Sequence, residues 1–177
     1  MKVIRRITEE VDAYRVGDVI SFTLTTGEKV SAMAMKEEED GTLFVTVDCL
    51  EEERPMNSGG TTEGGYEACS LRKVLNSEIY GTFPDEIKDK MVAFENGDYL
   101  RLLTYEEVFE ENRPEPMRNR RNRIADRGCN SDEPEWWWLQ DAVSAARFAF
   151  VHAGGYAYCY GGASLALGVR PAFKINI

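Results

Sequence analysis

The sequence lacks any apolar run of the ~18 residues that a membrane-spanning helix requires. Its first six residues are soon followed by Glu9, Glu10 and Asp12, so the start also lacks the long apolar stretch of a secretory signal. We therefore expect a soluble chain that does not insert into a membrane. Hydrophobic residues still make up 43% of the 177 residues, which is enough to build a core and excludes wholesale disorder.

Cysteine and histidine are both scarce. Cys49, Cys69, Cys129 and Cys159 form no CxxC pair, which excludes zinc-ribbon and thioredoxin-like motifs. Four cysteines are also too few for a disulfide scaffold in a chain of this length, so we expect free, reduced thiols. His152 is the single histidine, and any histidine-dependent triad or metal site would have to use it. We expect neither a metal nor a cofactor.

Positive charge is in the minority, with 21 basic against 31 acidic side chains and a net charge of −10. Because an acidic chain repels a phosphate backbone, we do not expect general nucleic-acid binding. Residues 113–127 are the exception, since six arginines there meet only Glu115 and Asp126 and leave a local charge of +4. Such a basic loop is usually solvated and held by internal ion pairs.

Hydrophobic patterning predicts one α+β domain over residues 1–177. Residues 1–50 form a β-rich part, with strands at Val19–Leu24 and Leu43–Val47. Residues 51–111 form a helical part. A glycine-rich surface loop at 58–65 begins it, without the neighbouring strand, helix and Lys-Ser/Thr of a phosphate-binding loop.

Capping signals place the helices of that part. Ser70 is predicted to cap the first helix, and Pro84 lies near the start of a second helix that carries Met91 on its buried side. A short strand is expected at residues 99–103. Thr104, followed by Glu107 three residues later, predicts a capping box.

The rest of the chain divides into a loop and a second β part. Residues 112–135 hold three prolines and the arginine run, and we expect an irregular loop of about two dozen residues. Residues 136–177 return to strands at 136–139, 148–152 and 156–160, with a hairpin turn at 153–155. Pro171 indicates an edge or the start of the last strand.

The most informative pattern is a row of tyrosines. In a strand, Tyr156, Tyr158 and Tyr160 would point to one face. All three cannot lie in a deep core, because each hydroxyl needs a hydrogen-bond partner. Tyrosine is also a favoured contact residue of binding surfaces. The alternative is a half-buried sheet face covered by a loop.

The stretch from Asp141 to Phe173 contains no Lys, Glu, Gln, Met or Trp. At the frequency of these types in the whole chain, about seven would be expected there. A buried β core avoids Lys and Glu and explains part of the deficit. The stretch nevertheless includes His, Arg, Ser, Asp and several Gly, so burial alone is an incomplete explanation.

Four ordered segments resemble a family of uncharacterised domains known from gut bacteria and their phages, and the resemblance runs from about residue 17 to the end. The segments are Tyr66–Asn76 followed by Phe83-Pro84, Leu102–Val108, Trp137–Leu139 and Gly168–Phe173. Gln140-Asp141 stands where the family usually has Arg-Ser.

The Trp-rich strand and the closing Gly-Val-Arg-Pro-Ala-Phe are also similar to the C-type-lectin-like fold of formylglycine-generating enzymes and of variable proteins from diversity-generating retroelements. This resemblance implies an antiparallel sheet with two or three helices and long loops. In the retroelement group, AAC codons are rewritten as NNC codons, which cannot encode the five missing residue types. The implied variable, ligand-binding face consists of Val143, Ser144, Arg147, Phe150, His152, Tyr156, Tyr158, Cys159, Tyr160, Gly162, Leu165 and Leu167.

The resemblance therefore implies a ligand-binding module, not an enzyme, that recognises a protein or cell-surface ligand from a phage virion, the bacterial cytoplasm or the cell surface. One alternative is a structural phage or surface domain in which the tyrosines form a subunit contact. Another is an oxidase of the formylglycine-generating type, which would need Cys129 and Cys159 as paired active cysteines. A calcium-dependent lectin would need Glu-Pro-Asn and Trp-Asn-Asp patterns, which the sequence lacks.

Overall fold

The computed structural model describes residues 13–177, with only the backbone described at Cys159 and Tyr160. This part of the chain has a mixed α/β fold of mostly antiparallel strands with a few short helices. The strands are β1 (Val19–Thr23), β2 (Lys29–Glu38), β3 (Gly41–Thr46), β4 (Met91–Val92), β5 (Ala125–Asp126), β6 (Pro134–Glu135), β7 (Trp137–Ser144), β8 (Arg147–Val151), β9 (Ala157–Gly162) and β10 (Ala172–Ile175). The helices are α1 (Gly65–Ala68), α2 (Ser70–Val74), α3 (Tyr80–Thr82), α4 (Asp85–Lys88), α5 (Tyr105–Phe109) and α6 (Glu115–Arg118).

The larger sheet has the strand order β1-β2-β3-β10-β4, so the last strand of the chain lies between strands from the first half. Antiparallel pairing places Phe173 of β10 opposite Phe44 of β3, and the two rings stack with centroids 5.9 Å apart. All of β10 is buried, because Phe173 packs into one apolar core and Ala172 into another. The predicted strands in the β-rich part are confirmed as β1 and β3, and Pro171 directly precedes β10 as predicted.

The smaller sheet has the order β7-β8-β9, joined by two hairpins, and the predicted turn at 153–155 is confirmed. Successive residues of β7 and β8 point to opposite faces. Trp138 and Phe150 therefore pack into the first core, whereas Trp137 and Val151 pack into the second. The first three residues of β7 and the last four of β8 are therefore buried between the two cores. The residues next to the β7–β8 turn are exposed.

The helical part follows the prediction in outline and departs from it at three points. Cys69 is the N-cap of α2, because Ser70 already lies in the helix and its amide and hydroxyl both donate to Asn57 Oδ1. Met91 lies in β4, paired with Ile175, because α4 ends at Lys88. No helix among residues 13–177 combines the length and the apolar character needed to cross a membrane.

The predicted strand at residues 99–103 is the third departure. This segment makes only a single bridge, between Arg101 and Ala172 of β10. The amides of Tyr99 and Leu100 donate instead to Asn76 Oδ1 on the π-helical segment (Leu75–Ile79) that joins α2 to α3. A side chain thus takes the place of a neighbouring strand.

The prediction of an irregular loop at residues 112–135 is wrong. This segment contains α6, a 3-10 turn (Arg120–Arg123), and the strand pair β5–β6. Its backbone carbonyls are used by side chains, since Arg123 Nη1 donates to Met117 O and Trp137 Nε1 donates to Arg123 O. Arginine and proline are typical of loops, so the sequence did not indicate that long side chains would order this backbone.

The capping box predicted at α5 is confirmed and carries a half-buried ion pair. Thr104 Oγ1 accepts from the Glu107 amide, and Glu107 Oε2 accepts from the Thr104 amide. Arg101 donates to both carboxylate oxygens of Glu107, at 2.8 and 2.6 Å. Burial raises the pKa of Glu107, but the Arg101 guanidinium and the Thr104 hydrogen bonds outweigh burial and hold that pKa below its ordinary value.

Replacing Glu107 by Gln is expected to reduce the free energy of unfolding at pH 7 by about 1–3 kcal/mol, because the half-buried guanidinium of Arg101 then lacks its carboxylate partner. Since the pKa of Glu107 is lower in the folded than in the unfolded state, its stabilisation is complete above about pH 4.3 and is lost as the pH falls through the folded value. The gap between wild type and variant should therefore narrow from pH 7 to pH 3 in urea titrations. Exposed Glu106→Gln is the matched control, with a change within about 0.5 kcal/mol at both pH values. A gap that stays constant with pH would contradict this assignment.

Candidate ligand-binding face

The β8–β9 hairpin carries the predicted site at one end of the smaller sheet. His152 N donates to Tyr156 O, and Gly155 N donates to His152 O, which closes a tight turn. Gly155 has a φ of 78°, in the left-handed region that favours glycine. A Cβ at Gly155 would also lie 2.9 Å from the Arg120 carbonyl oxygen, so the turn sits directly on the 3-10 turn.

Aromatic rings form two layers beside this hairpin. In the inner layer, Phe150 is 2% exposed and meets Trp138 edge to face at 6.1 Å. In the outer layer, Trp136 stacks on Phe150 at 5.3 Å and Tyr158 contacts Phe150 at 5.2 Å. Trp136 and Tyr158 remain 39% and 47% exposed, so they cover Phe150 and still face solvent. His152 lies between them, 5.3 Å from the Trp136 ring and 6.3 Å from the Tyr158 ring.

Tyr156 extends the outer layer toward the arginine segment. Its side chain is 55% exposed, the guanidinium of Arg120 lies 5.0 Å from its ring centroid, and Arg120 also donates to its hydroxyl. Arg123 Nε donates to Gly155 O at 2.9 Å. The 3-10 turn therefore supports the tyrosine from behind and places a cation at the edge of the face.

The opposite end of the sheet carries a second exposed group around the β7–β8 hairpin. Val143 and Leu165 are 43% and 49% exposed, and Ser144 and Arg147 are exposed beside them. The glycine-rich loop supports this hairpin, because Thr62 Oγ1 donates to Ser144 O and the Thr62 amide donates to the carbonyl of residue 145. The loop is thus structural at this point.

The structure separates the predicted face into exposed and buried members. Six side chains are exposed: Val143, Ser144, Arg147, Tyr156, Tyr158 and Leu165. His152 and Gly162 are half-buried, and the side chains of Cys159 and Tyr160 lie outside the described part of the chain. Phe150 and Leu167 are buried, so their assignment to the contact surface is wrong. Phe150 supports the outer rings, and Leu167 packs in the first core, where its backbone pairs with Arg54.

The pairing of β9 with β8 contains a register shift. Phe150 pairs with Tyr158, but Phe148, two residues away on β8, pairs with Gly161, three residues away on β9. One extra residue of β9 therefore lies between these two pairs, which is a β-bulge. Gly161 follows the bulge at a point where a Cβ would lie 2.6 Å from Phe150 Cδ1 and 2.8 Å from Trp138 Cζ3.

Sequence reasoning missed two members of the face, Trp136 and Arg120. Trp136 directly precedes β7. Because consecutive extended residues alternate between faces, its ring lies on the same side as that of Trp138. That position was readable from the sequence. The contact between Arg120 and Tyr156 joins residues 36 positions apart, and no local pattern indicates it.

The face offers contact area and hydrogen bonds rather than activated nucleophiles. Cys49 and Cys69 are buried, and burial raises the pKa of both thiols, for Cys49 to about 12. Cys129 is exposed. Among the described side chains, no three His, Cys, Asp or Glu residues are grouped as a metal site would need. The donors at the face are the guanidinium groups of Arg120 and Arg147, together with the imidazole of His152.

Comparisons with known proteins reach only part of the chain. A family described as a domain of unknown function (DUF6273) matches residues 40–101, which are 62 of the 177 residues. The matched segment runs from the β2–β3 turn to Arg101 and ends before the candidate face. No curated protein and no solved structure matches the chain.

Gly161→Ala is expected to lower the free energy of unfolding by about 1–3 kcal/mol, because the added methyl group would displace the rings of Phe150 and Trp138. Gly162→Ala is the matched control in the same strand, where the nearest atom to a Cβ is Leu165 Cγ at 3.9 Å. The control should change stability by about 0.5 kcal/mol or less. Equal losses in the two variants, measured by chemical denaturation, would show that the ring layer does not pack on Gly161.

Proposed function

We propose that the protein is a ligand-binding module that recognises a protein ligand through its aromatic face, and that this face is varied by a retroelement on a C-type-lectin-like scaffold. The observation that carries the proposal is the two-layer arrangement of rings. Trp136, Tyr156 and Tyr158 are each more than a third exposed, and Trp136 and Tyr158 rest on the buried Phe150. Apolar rings held at a surface on a rigid support are typical of a protein contact.

Exposed large hydrophobic side chains are concentrated on this sheet. Nine such side chains are found among the described residues, and five of them lie between Trp136 and Leu165. A random distribution over the 165 described residues would place fewer than two in this 30-residue stretch. Three of the five are the rings of the aromatic face, and the other two lie at the opposite end of the sheet. This grouping favours contact surfaces over isolated exposed residues, which are normal on any protein.

The rings also have the properties of strong contact residues. Tyrosine, tryptophan and arginine are enriched among the residues that contribute most to protein binding. The Tyr158 and Trp136 rings are already positioned by contacts with Phe150, and Tyr156 by Arg120. Because little rotamer freedom would be lost on binding, more of the contact energy is available for affinity.

Burial does not account for the missing residue types. Lys, Glu and Gln are absent from Asp141–Phe173, yet twelve positions there are exposed, at residues 142–147, 156–158 and 164–166. Only Arg147 among these twelve is charged. Exposed positions are where Lys and Glu are most frequent in ordinary proteins, so a buried core is not the reason for their absence. Restriction to NNC codons supplies a reason at the variable positions among these twelve, which are Val143, Ser144, Arg147, Tyr156, Tyr158 and Leu165.

Diversification can be tested by randomisation with NNC codons. One library varies seven accessible positions: Val143, Ser144, Arg147, His152, Tyr156, Tyr158 and Leu165. The control library varies seven buried positions: Phe148, Ala149, Phe150, Val151, Ala163, Leu167 and Val169. We expect most clones of the first library and few of the second to resist proteolysis in surface display. Selection of the first library on lysozyme, used as the test protein, should enrich binders. Equal loss of folding in both libraries would contradict the proposal.

A genomic observation tests the retroelement part separately. A near-identical template repeat with Asn codons at the variable positions, next to a reverse transcriptase gene, is expected beside the coding sequence. The absence of such a repeat would contradict the retroelement part of the proposal and leave the ligand-binding part.

Removing the outer rings should leave the fold largely intact. The double variant Tyr156→Ala/Tyr158→Ala is expected to lose about 1–2 kcal/mol of stability, because both side chains are mostly exposed. Tyr66→Ala is the matched control, since Tyr66 is 8% exposed and its hydroxyl accepts from the Leu102 amide at 3.2 Å. The control should lose about 3–5 kcal/mol. A double variant that unfolds as readily as Tyr66→Ala would place the two tyrosines in the core and remove the basis of the face.

A further inference from the structure

Four arginines on or next to the 3-10 turn form no ion pair with another described residue, although the protein is strongly acidic. Five other arginines form ion pairs within 4.0 Å: Arg54, Arg72, Arg101, Arg118 and Arg127. No ion pair among the described residues includes Arg120, Arg121, Arg123 or Arg170. These four are joined through the 3-10 turn, because Arg170 Nη1 donates to Asn122 O within it. The region is therefore positive without internal neutralisation.

Arg170 is the most deeply buried arginine of this group, since it is only 3% exposed. Its Nε donates to Thr46 O at 2.9 Å, its Nη1 donates to Asn122 O at 3.2 Å, and its guanidinium lies 4.4 Å from the Trp137 ring centroid. These partners are all neutral. Asp48 influences Arg170 only from beyond ion-pair distance.

Burial lowers the pKa of Arg170 to about 10, which still leaves the side chain protonated at neutral pH. A buried cation is stabilised most effectively by an anion that hydrogen-bonds to it. The described part of the chain does not supply that anion.

A cavity of about 40 Å³, with Arg170 in its lining, lies between the β2–β3 hairpin and the segment of α6 and the 3-10 turn. Arg170, Arg121 and Asn122 form the polar part of its lining. Met33, Val47 and Ile124 are among its apolar walls. At about 10–15 Å³ for each water-sized group, the cavity holds about three such groups.

The volume and the lining together define the ligand class. Two arginines favour an anion over water, and the small volume excludes phosphate esters and long carboxylates. Apolar walls disfavour strongly hydrated, multiply charged ions, because their hydration cannot be replaced there. We infer that this cavity binds one small monovalent anion, a chloride ion or a formate-sized carboxylate, as the counter-ion of Arg170.

An anion at this point would stabilise more than one arginine. Asn122 and Arg121 belong to the 3-10 turn that also presents Arg120 to Tyr156 and Arg123 to Gly155. Binding would hold this turn against the larger sheet, because the cavity lies between them. The inference does not depend on the aromatic face being a binding surface.

The test is thermal unfolding at constant ionic strength, with sodium gluconate replaced stepwise by sodium chloride or sodium formate. We expect the Tm to rise by a few degrees and to saturate, because an anion that binds only the folded state stabilises it by mass action. Val47→Phe fills the cavity and should abolish the rise. Val19→Phe, at a valine that is 52% exposed on β1, is the matched control and should keep it.

A second variant and a direct measurement complete the test. Arg121→Gln changes an exposed side chain of the lining and should raise the chloride concentration for half of the effect several-fold. Crystals grown in sodium bromide should show an anomalous peak between Arg170 and Arg121. An identical chloride response in Val47→Phe and wild type, or bromide crystals without that peak, would overturn the inference.

Discussion

The two tryptophans of β7 anchor the parts of the fold from which the candidate face is built. Trp137 and Trp138 point to opposite sides of one strand, and each is fully buried in a different apolar core. Each indole N–H also has a distant acceptor, Arg123 O for Trp137 and Arg54 O for Trp138. A shift of β7 by one residue would exchange the two cores and break both hydrogen bonds, so the register of this strand is strongly determined. The neighbouring β8 and β9 inherit that register through their pairing.

Rigidity at this strand is what allows aromatic residues to remain at the surface. Phe150 packs against Trp138, and the outer rings pack against Phe150. The exposed side chains are thus the last layer of a stack that begins in the core. The same strand connects the face to the arginine segment, because Trp137 contacts both Arg170 and the Arg123 carbonyl. The proposed anion site and the proposed ligand-binding face would therefore both be connected to β7.

The candidate face could be predicted in part, and the reasons differ from residue to residue. Tyr156 and Tyr158 follow from alternation next to a Gly-Gly turn, which is local information. The resemblance implied that Phe150 and Leu167 belong to the face, but both are buried, because burial depends on which side of the sheet meets the core. The register shift before Gly161 lies where that glycine meets the Phe150 and Trp138 rings. The alternating pattern of residues in the sequence indicates neither the burial nor the register shift.

Local chemistry in the sequence determined the first strands, the β8–β9 turn and the capping box at Thr104, because each depends on residues within a few positions of one another. The tertiary structure alone decided the order of residues 112–135, the position of Met91 in a strand, and the contact of Arg120 with Tyr156. Met91 pairs with Ile175, and Arg120 and Tyr156 are 36 positions apart, while Arg123 in the ordered segment contacts Trp137 and Gly155, 14 and 32 positions away. Long side chains and distant backbone carbonyls form these interactions only after the strands have brought them together, so no local pattern contains them.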